Sequence, residues 1–359
     1  MRAFDSVTKT KALWTGTPVN LKELSNLLGL SQTTVSRALN GYPEVSEATR
    51  ARVVAAAEAH NYSPNTRAQG LATGHSRCIG HVISVNDSGE MVNPIFGDFM
   101  AGAGETYAAH GYDMMVTRVG QKDEAETYRN LKARGAVDGV VVHAPRKNDP
   151  RLPLLTEIGL PFVVHGRSTE SSVPYSWLDV NNRSAFRGAT DHLISLGHRR
   201  IGLINGQETL DFAIRRREGY ESAMRDAGLE IDTTLRSTGE MTEEYGYRNA
   251  VKMLDRPGAA TAFLAASIIC AAGVRRALDE RGLRPGRDVS IATFDDCLSY
   301  FGNGSDVPVF TAMQASVRAA GAALAKMLIQ RIQTPTAPHI HTLWEAEFVV
   351  GTSTGQCKD

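Results

Sequence analysis

LKELSNLLGLSQTTVSRALNG, residues 21–41, reads as two short helices joined by a turn. Leu21, Leu24, Leu27 and Leu28 recur at helical spacing, Gly29 interrupts them, and residues 32–39 begin a second helical run with Val35 and Leu39 on one face. This is the helix-turn-helix pattern. On the second helix Gln32, Thr33, Ser36, Arg37 and Asn40 fall at i, i+1, i+4, i+5 and i+8, which gathers the hydrogen-bonding side chains opposite Val35 and Leu39. A polar, mostly uncharged face with one arginine suits the edges of bases. Taken alone, the stretch fits an αα-hairpin with a merely solvated outer face equally well, so its surroundings must decide.

The 359 residues suit two or three domains with ample material for a buried core. Formal net charge is zero, but its placement is uneven. Residues 1–77 carry nine Lys or Arg against five Asp or Glu, a net of +4, and the remainder carries 30 against 34, a net of −4. A small basic head on an acidic body is the footprint of a domain that meets phosphates attached to one that does not. Cys78, Cys270, Cys297 and Cys357 are far apart and form no CxxC or Cys/His cluster. No disulfide framework, structural zinc, other metal or cofactor is therefore expected. No apolar run reaches membrane-spanning length, and residues 1–17 lack the apolar core of a signal peptide. The expectation is a soluble cytoplasmic protein without a membrane partner, led by a flexible extension over 1–17.

After the hairpin, Tyr42-Pro43 makes a loop and Ser46 is placed to cap a third helix over 47–60, with Val45 as a staple and Val53, Val54 and Ala57 turned inward. In residues 61–76, NYSPNTRAQGLATGHS, a helical run over 65–72 is weakened by Gly70 and ended by Gly74. So short a helix is marginal in water and needs outside support, which makes the segment a hinge candidate. From Cys78 onward, apolar strands at 78–85, 112–119, 137–143, 161–165, 200–205, 262–266 and 289–294 alternate with amphipathic helices. That rhythm predicts an α/β fold with parallel sheets, divided into two lobes with a ligand cleft at the carboxyl ends of the strands.

The run from Pro18 to Gly74 closely resembles the headpiece and hinge of the lactose-repressor (LacI/GalR) family of bacterial transcription regulators. TVSRALNG, VSEATR and NYSPN stand at the family's intervals, and the likeness continues through IGLING at 201–206, RREGY at 216–220, FDD at 294–296 and TAMQ at 311–314. The resemblance implies an N-terminal three-helix helix-turn-helix headpiece over 18–63 and a hinge helix within 64–76. A two-lobed, periplasmic-binding-protein-like effector and dimerisation domain follows over 77–356. It places the first lobe at about 77–179 and 315–341, and the second at about 180–314 and 342–356. It also implies a homodimer or homotetramer, a palindromic operator DNA and a small-molecule effector. Gln32, Thr33 and Arg37 match the base-reading positions, and Ser31, Thr34, Ser36, Asn40, Ser46, Thr49 and Asn65 suit phosphate contacts. Several of these serve equally as helix caps. Leu71 matches the residue that wedges into the minor groove, with Arg67 beside it.

The family's effector positions fall on Phe96, Arg167, Arg216, Met241, Ser267, Asp295 and Gln314. Arg216 would hold hydroxyls or carboxylates with its fixed fork, and Asp295 would accept from sugar hydroxyls while Asp296 points the other way. Arg215 and Arg217 read as surface charges. Gly166 stands where an Asp is common, with Arg167 kept, and Ile268 replaces another acid. HGR, YSWLDVNNRSAF and EMTEEYGY are similar to regulators of sugar uptake, α-glucosides in particular, which implies a saccharide inducer; the family also uses purine-like ligands. An enzyme is not expected. The adjacent Asp295 and Asp296 cannot flank a glycosidic bond, and GAGETY at 102–107 lies inside a helical pattern without a P-loop lysine. Other readings are a regulator using a corepressor or acting as an activator, and a transport-type sugar-binding protein, which would have no use for residues 18–72.

Overall fold

The computed structural model describes residues 19–63, 74–84, 93–120 and 123–358, and the chain divides into two compact units, Met1–Ser76 and Arg77–Asp359. Among the described residues no helix is long and apolar enough to cross a membrane.

The first unit holds α1 (Leu21–Leu28), α2 (Gln32–Leu39) and α3 (Glu47–Ala59). Each start is fixed locally. Asn20 and Glu23 form a reciprocal capping box, Ser31 accepts from the Thr34 amide at 3.0 Å, and Ser46 accepts from the Thr49 amide at 3.3 Å. The turn between α1 and α2 needs Gly29, whose φ of +66° is the left-handed conformation in which a side chain is strained. Leu24, Val35, Ala38, Val45, Val53 and Ala57 close the core. Val54, expected inward, is exposed, because α3 buries a narrow stripe through Val53 and Ala57.

The second unit contains two sheets of the same winding. The first lobe runs β1 (Cys78–Ser84), α4 (Pro94–Ala109), β2 (Asp113–Val119), α5 (Glu124–Ala133), β3 (Gly139–His143), α6 (Arg151–Glu157), β4 (Phe162–His165) and β5 (Ser176–Val180). The chain then crosses to α7 (Asn182–Ser195), β6 (Ile201–Asn205), α8 (Asp211–Asp226), β7 (Arg236–Thr238), α9 (Glu243–Leu254), β8 (Ala262–Ala265), α10 (Ile268–Asp279), β9 (Ser290–Asp295) and β10 (Thr311–Gln314). It returns as α11 (Val317–Gln333) and β11 (His341–Trp344), and crosses once more to β12 (Glu347–Val349). The sheet orders are β11-β5-β4-β3-β1-β2 and β12-β10-β9-β8-β6-β7, parallel throughout except for the β10/β12 pair. Residues 342–344, assigned from sequence to the second lobe, belong to β11 and hence to the first sheet, paired with β5.

In each lobe the winding reverses beside the first strand, between β1 and β3 and between β6 and β8. A doubly wound sheet binds ligands at that switch, beyond the carboxyl ends of its strands. Helices cover both sheet faces, and α4 and α11 pack closely enough to require glycine. A Cβ on Gly102 would lie 2.0 Å from the Arg318 carbonyl oxygen, and one on Gly321 would lie 2.2 Å from that of Phe99. This gives the first glycine of GAGETY a packing role inside a helix.

Candidate functional site

On the headpiece, Gln32, Thr33, Arg37 and Asn40 are exposed on one side of α2, while Val35 and Ala38 are buried on the other. Arg37 has Glu44 3.6 Å away, both side chains half exposed, so its fork stays available to a larger ligand. The Ser31 and Thr34 hydroxyls are 2.8 Å apart, and those of Ser46 and Thr49 are 2.9 Å apart. The same Ser-x-x-Thr device thus opens α2 and α3, setting hydroxyls and free amides at two helix N-termini where phosphate oxygens bind well. Asn40 donates to the Ser36 carbonyl at 2.9 Å and closes α2. Arg50, not singled out in the sequence, donates to the Tyr42 carbonyl at 2.9 Å and ties the α2–α3 loop to α3. Asn65, Arg67 and Leu71 lie outside the described residues.

In the second lobe, the central side chain is Arg216 of α8. Its Nε donates to Asn182 Oδ1 at 2.7 Å and its Nη1 to the Ala266 carbonyl, just beyond β8, at 2.6 Å. Phe186, Phe212 and Phe294 lie at 5.0, 4.9 and 4.3 Å from the guanidinium carbon. Burial lowers its pKa to about 10, against the opposing fields of Asp296 and Asp179. Three aromatic faces and two acceptors leave this fork a single orientation.

The adjacent aspartates divide their roles. Asp295, the last residue of β9, is buried and already engaged, accepting from the Cys297 amide at 2.8 Å and from Gln314 Nε2 at 2.9 Å. Asp296 is the acid in the field of Arg216. Burial raises its carboxyl to about 7; Arg216 pulls it down and Asp295 pushes it up. The two neighbours thus differ in their surroundings: Gln314 and the Cys297 amide hold Asp295, and Asp296 lies in the field of Arg216. Ser267 is fully buried and caps α10 through the Cys270 amide at 3.2 Å, and Met241 packs between the two cores.

Arg167 is engaged in an ion cluster where the chain crosses between lobes. Its Nε donates to Asp179 Oδ2 at 2.8 Å and its guanidinium lies 5.0 Å from the Trp177 ring. Arg215, read from sequence as a surface charge, is buried, and its Nη2 approaches the same Asp179 oxygen to 3.0 Å at an angle too poor for a hydrogen bond. Asn182 donates to the other Asp179 oxygen at 3.3 Å while accepting from Arg216, so one hydrogen-bonded chain joins the crossover to the central arginine. Arg217 is ion-paired with Glu208 at 2.9 Å and Glu221 at 3.1 Å.

The first lobe presents different chemistry. Phe96, in the first turn of α4, meets His143 edge-on at 5.1 Å. His143 and His165 end neighbouring strands β3 and β4 in direct register, and His81 of β1 lies behind them. Burial holds all three imidazoles neutral: His81 at about 3, His165 at about 4, and His143 well below its ordinary value. Among the described residues no cluster of His, Cys, Asp or Glu is arranged to hold a metal ion. The histidines were legible as single polar residues in apolar strands, HVIS, VVVH and FVVH, but were not singled out.

Two matched carboxylates bind the lobes together. Asp98 of the first lobe accepts from the amide and hydroxyl of Ser299, both at 2.6 Å. Asp211 of the second accepts from the amide and hydroxyl of Thr169, at 2.6 and 2.5 Å. These bonds hold together one lobe that carries a fixed cation and acids near its strand ends and another that carries neutral imidazoles and aromatic rings near its own.

Two family models match the chain: bacterial regulatory proteins of the lacI family over residues 20–65, and the periplasmic binding protein-like domain over 190–354. The chain is 44% identical over 342 residues to the HTH-type transcriptional regulator AglR of Rhizobium meliloti, covering 95% of this chain and 96% of that one. It is 31% identical to the HTH-type transcriptional regulator CelR of Thermobifida fusca, covering 93% and 97%. Among solved structures, the transcriptional regulator CelR–cellobiose complex superposes with a TM-score of 0.68 at 29% identity, covering 93% of this chain and 99% of that one. The lac repressor dimer bound to operator and an anti-inducer shares the fold, with a TM-score of 0.80 at 24% identity, covering 94% and 100%. With the regulatory-protein model seated on the helix-turn-helix and AglR matched along nearly its whole length, the chain belongs to the lacI family of bacterial regulatory proteins.

Proposed function

We propose that the chain is a repressor that binds a palindromic operator as a homodimer or homotetramer and releases it when a saccharide occupies the cleft between the lobes. The observation that carries the saccharide is the fixed fork of Arg216 in the second lobe, with Asp296 in its field, together with neutral imidazoles and phenyl rings at the strand ends of the first. A polyol ring has hydroxyls for the charged side and an apolar face for the aromatic one. The cellobiose bound by CelR belongs to that protein and supports the same ligand class here. The likeness of YSWLDVNNRSAF and EMTEEYGY to sugar-uptake regulators narrows the expectation to α-glucosides.

On the DNA side, Gln32, Thr33 and Arg37 read bases, with Ser31, Thr34, Ser36, Asn40, Ser46 and Thr49 positioning the helix on phosphates. The saccharide acts by favouring one arrangement of the lobes over another, and need not touch DNA. The test is operator binding by the full chain against a panel of α- and β-glucosides, galactosides and purines. Release by an α-glucoside supports the reading in full. Tighter binding makes the ligand a corepressor, and indifference to every saccharide removes the ligand class.

A further inference from the structure

The first lobe contains a buried hydrogen-bonded chain that ends at the carboxyl end of β3. The Tyr107 hydroxyl lies 3.2 Å from His81 Nε2, and His81 Nδ1 lies 3.0 Å from His143 Nε2. Tyr107 and His81 are buried, whereas His143, at the carboxyl end of β3, is half-buried. Among the described residues, His143 Nδ1 has no hydrogen-bond partner, and neither has either nitrogen of His165. His143 is clamped between Phe96 at 5.1 Å and Phe99 at 4.8 Å, so its ring has one orientation.

A neutral imidazole carries one proton, and the bond made by one nitrogen decides what the other presents. Two proton arrangements satisfy this chain. In one, Tyr107 donates to His81 Nε2, His81 Nδ1–H donates to His143 Nε2, and His143 Nδ1 carries the remaining proton. In the other, every bond is reversed and His143 Nδ1 is a bare acceptor. The reversed form leaves the buried Tyr107 O–H without an acceptor among the described residues, which is costly. The first arrangement is therefore favoured.

We propose that His143 is the effector-specifying residue of the first lobe, an Nδ1–H donor to an oxygen of the saccharide, with His81 and Tyr107 as the positioning residues that set its tautomer. This rests on the saccharide reading of the cleft. It complements the second lobe: Arg216 recognises hydroxyls through charge, whereas His143 adds a neutral, directional donor that an oxygen must meet.

The test uses side chains that mimic one imidazole nitrogen at a time. Asparagine places its amide where Nδ1 was, and glutamine reaches the Nε2 position facing His81. The full chain and its variants are titrated with the saccharide that releases wild-type protein from operator, with sugar-free operator affinity as the control on folding. His143→Gln is expected to raise the saccharide concentration needed by about tenfold or more, as when a site loses a hydrogen bond to a substrate hydroxyl. His143→Asn should stay within about threefold of wild type. Tyr107→Phe, which keeps the ring and frees the tautomer, should fall between them and leave sugar-free operator binding unchanged. A His143→Gln response equal to wild type, or an equal loss in the Asn and Gln variants, overturns the proposal and leaves the saccharide reading intact. A wild-type protein indifferent to every saccharide overturns both.

Discussion

Arg37 stands on the exposed face of α2 with Glu44 3.6 Å away, whereas Arg216 lies inside the second lobe with two hydrogen bonds and three phenyl rings around it. In the proposed role the first must remain adjustable, because DNA would supply the rest of its environment. The second, as a proposed effector residue, must already be oriented, because a small flexible ligand would provide little binding energy with which to order the protein. One site is a surface rigidified from below by caps and a small core; the other is an interior left polar and braced from several directions. Loss of a side chain should therefore cost more in the cleft than on the headpiece.

The largest effect is expected at Arg216. Removing one partner of a buried charged hydrogen-bond network costs about 2–5 kcal/mol, so Arg216→Ala should abolish saccharide release in a gel-shift titration while operator binding without sugar persists. Arg216→Lys, which keeps the charge without the fork, should recover little. A variant that still releases normally breaks the contrast. Arg37→Ala comes next: discrimination at one base pair of each half-site should weaken by about 1–3 kcal/mol, measured across operator variants. Equal weakening on all sequences would reduce Arg37 to a phosphate contact.

Ser46→Ala sharpens the comparison from the positioning side. Loss of the α3 cap costs about 0.5–2 kcal/mol, so affinity should fall on every operator with the ranking among them preserved; an altered ranking would give Ser46 a specifying role. Asp296 sharpens the comparison through pH. Its folded carboxyl, raised from 3.8 to about 7 by burial, holds a proton through pH 4–7 where the unfolded chain does not, so its contribution to stability falls as pH rises through that window. Asp296→Asn should raise the thermal midpoint at pH 8, by about 2–4 °C for each kcal/mol recovered, and change it little at pH 4. Parallel shifts at both values would mean that burial does not hold the proton.

The same contrast explains what could be read without coordinates. The headpiece is local: Ser31 and Ser46 cap helices that begin at the next residue, and the exposed polar face proposed to read bases falls within nine consecutive positions, 32–40, so periodicity suffices. The alternation of strands and helices exposed both parallel sheets for a similar reason. Short β5, β7, β10, β11 and β12 escaped notice, since three to five residues carry little pattern. The surroundings of Arg216 are assembled from elements far apart in sequence. Arg216, Asn182 and Ala266 meet through topology alone, and a run of three arginines conceals that Arg215 is buried against Asp179 while Arg217 is ion-paired at the rim. Between Asp295 and Asp296, neighbours in one strand end, only the partners decide: Gln314 and an amide for the first, the field of Arg216 for the second.

The central claim is that occupation of the cleft controls the headpiece. Operator affinity of the full chain, measured at fixed salt with and without a saturating saccharide from the glucoside panel, tests it most directly. Because the coupling between two ligand sites is typically about 1–3 kcal/mol, affinity is predicted to fall by about 5-fold to 150-fold in wild type and not at all in Arg216→Ala. A saccharide that binds, as seen by calorimetry, yet leaves operator affinity unchanged would contradict the account.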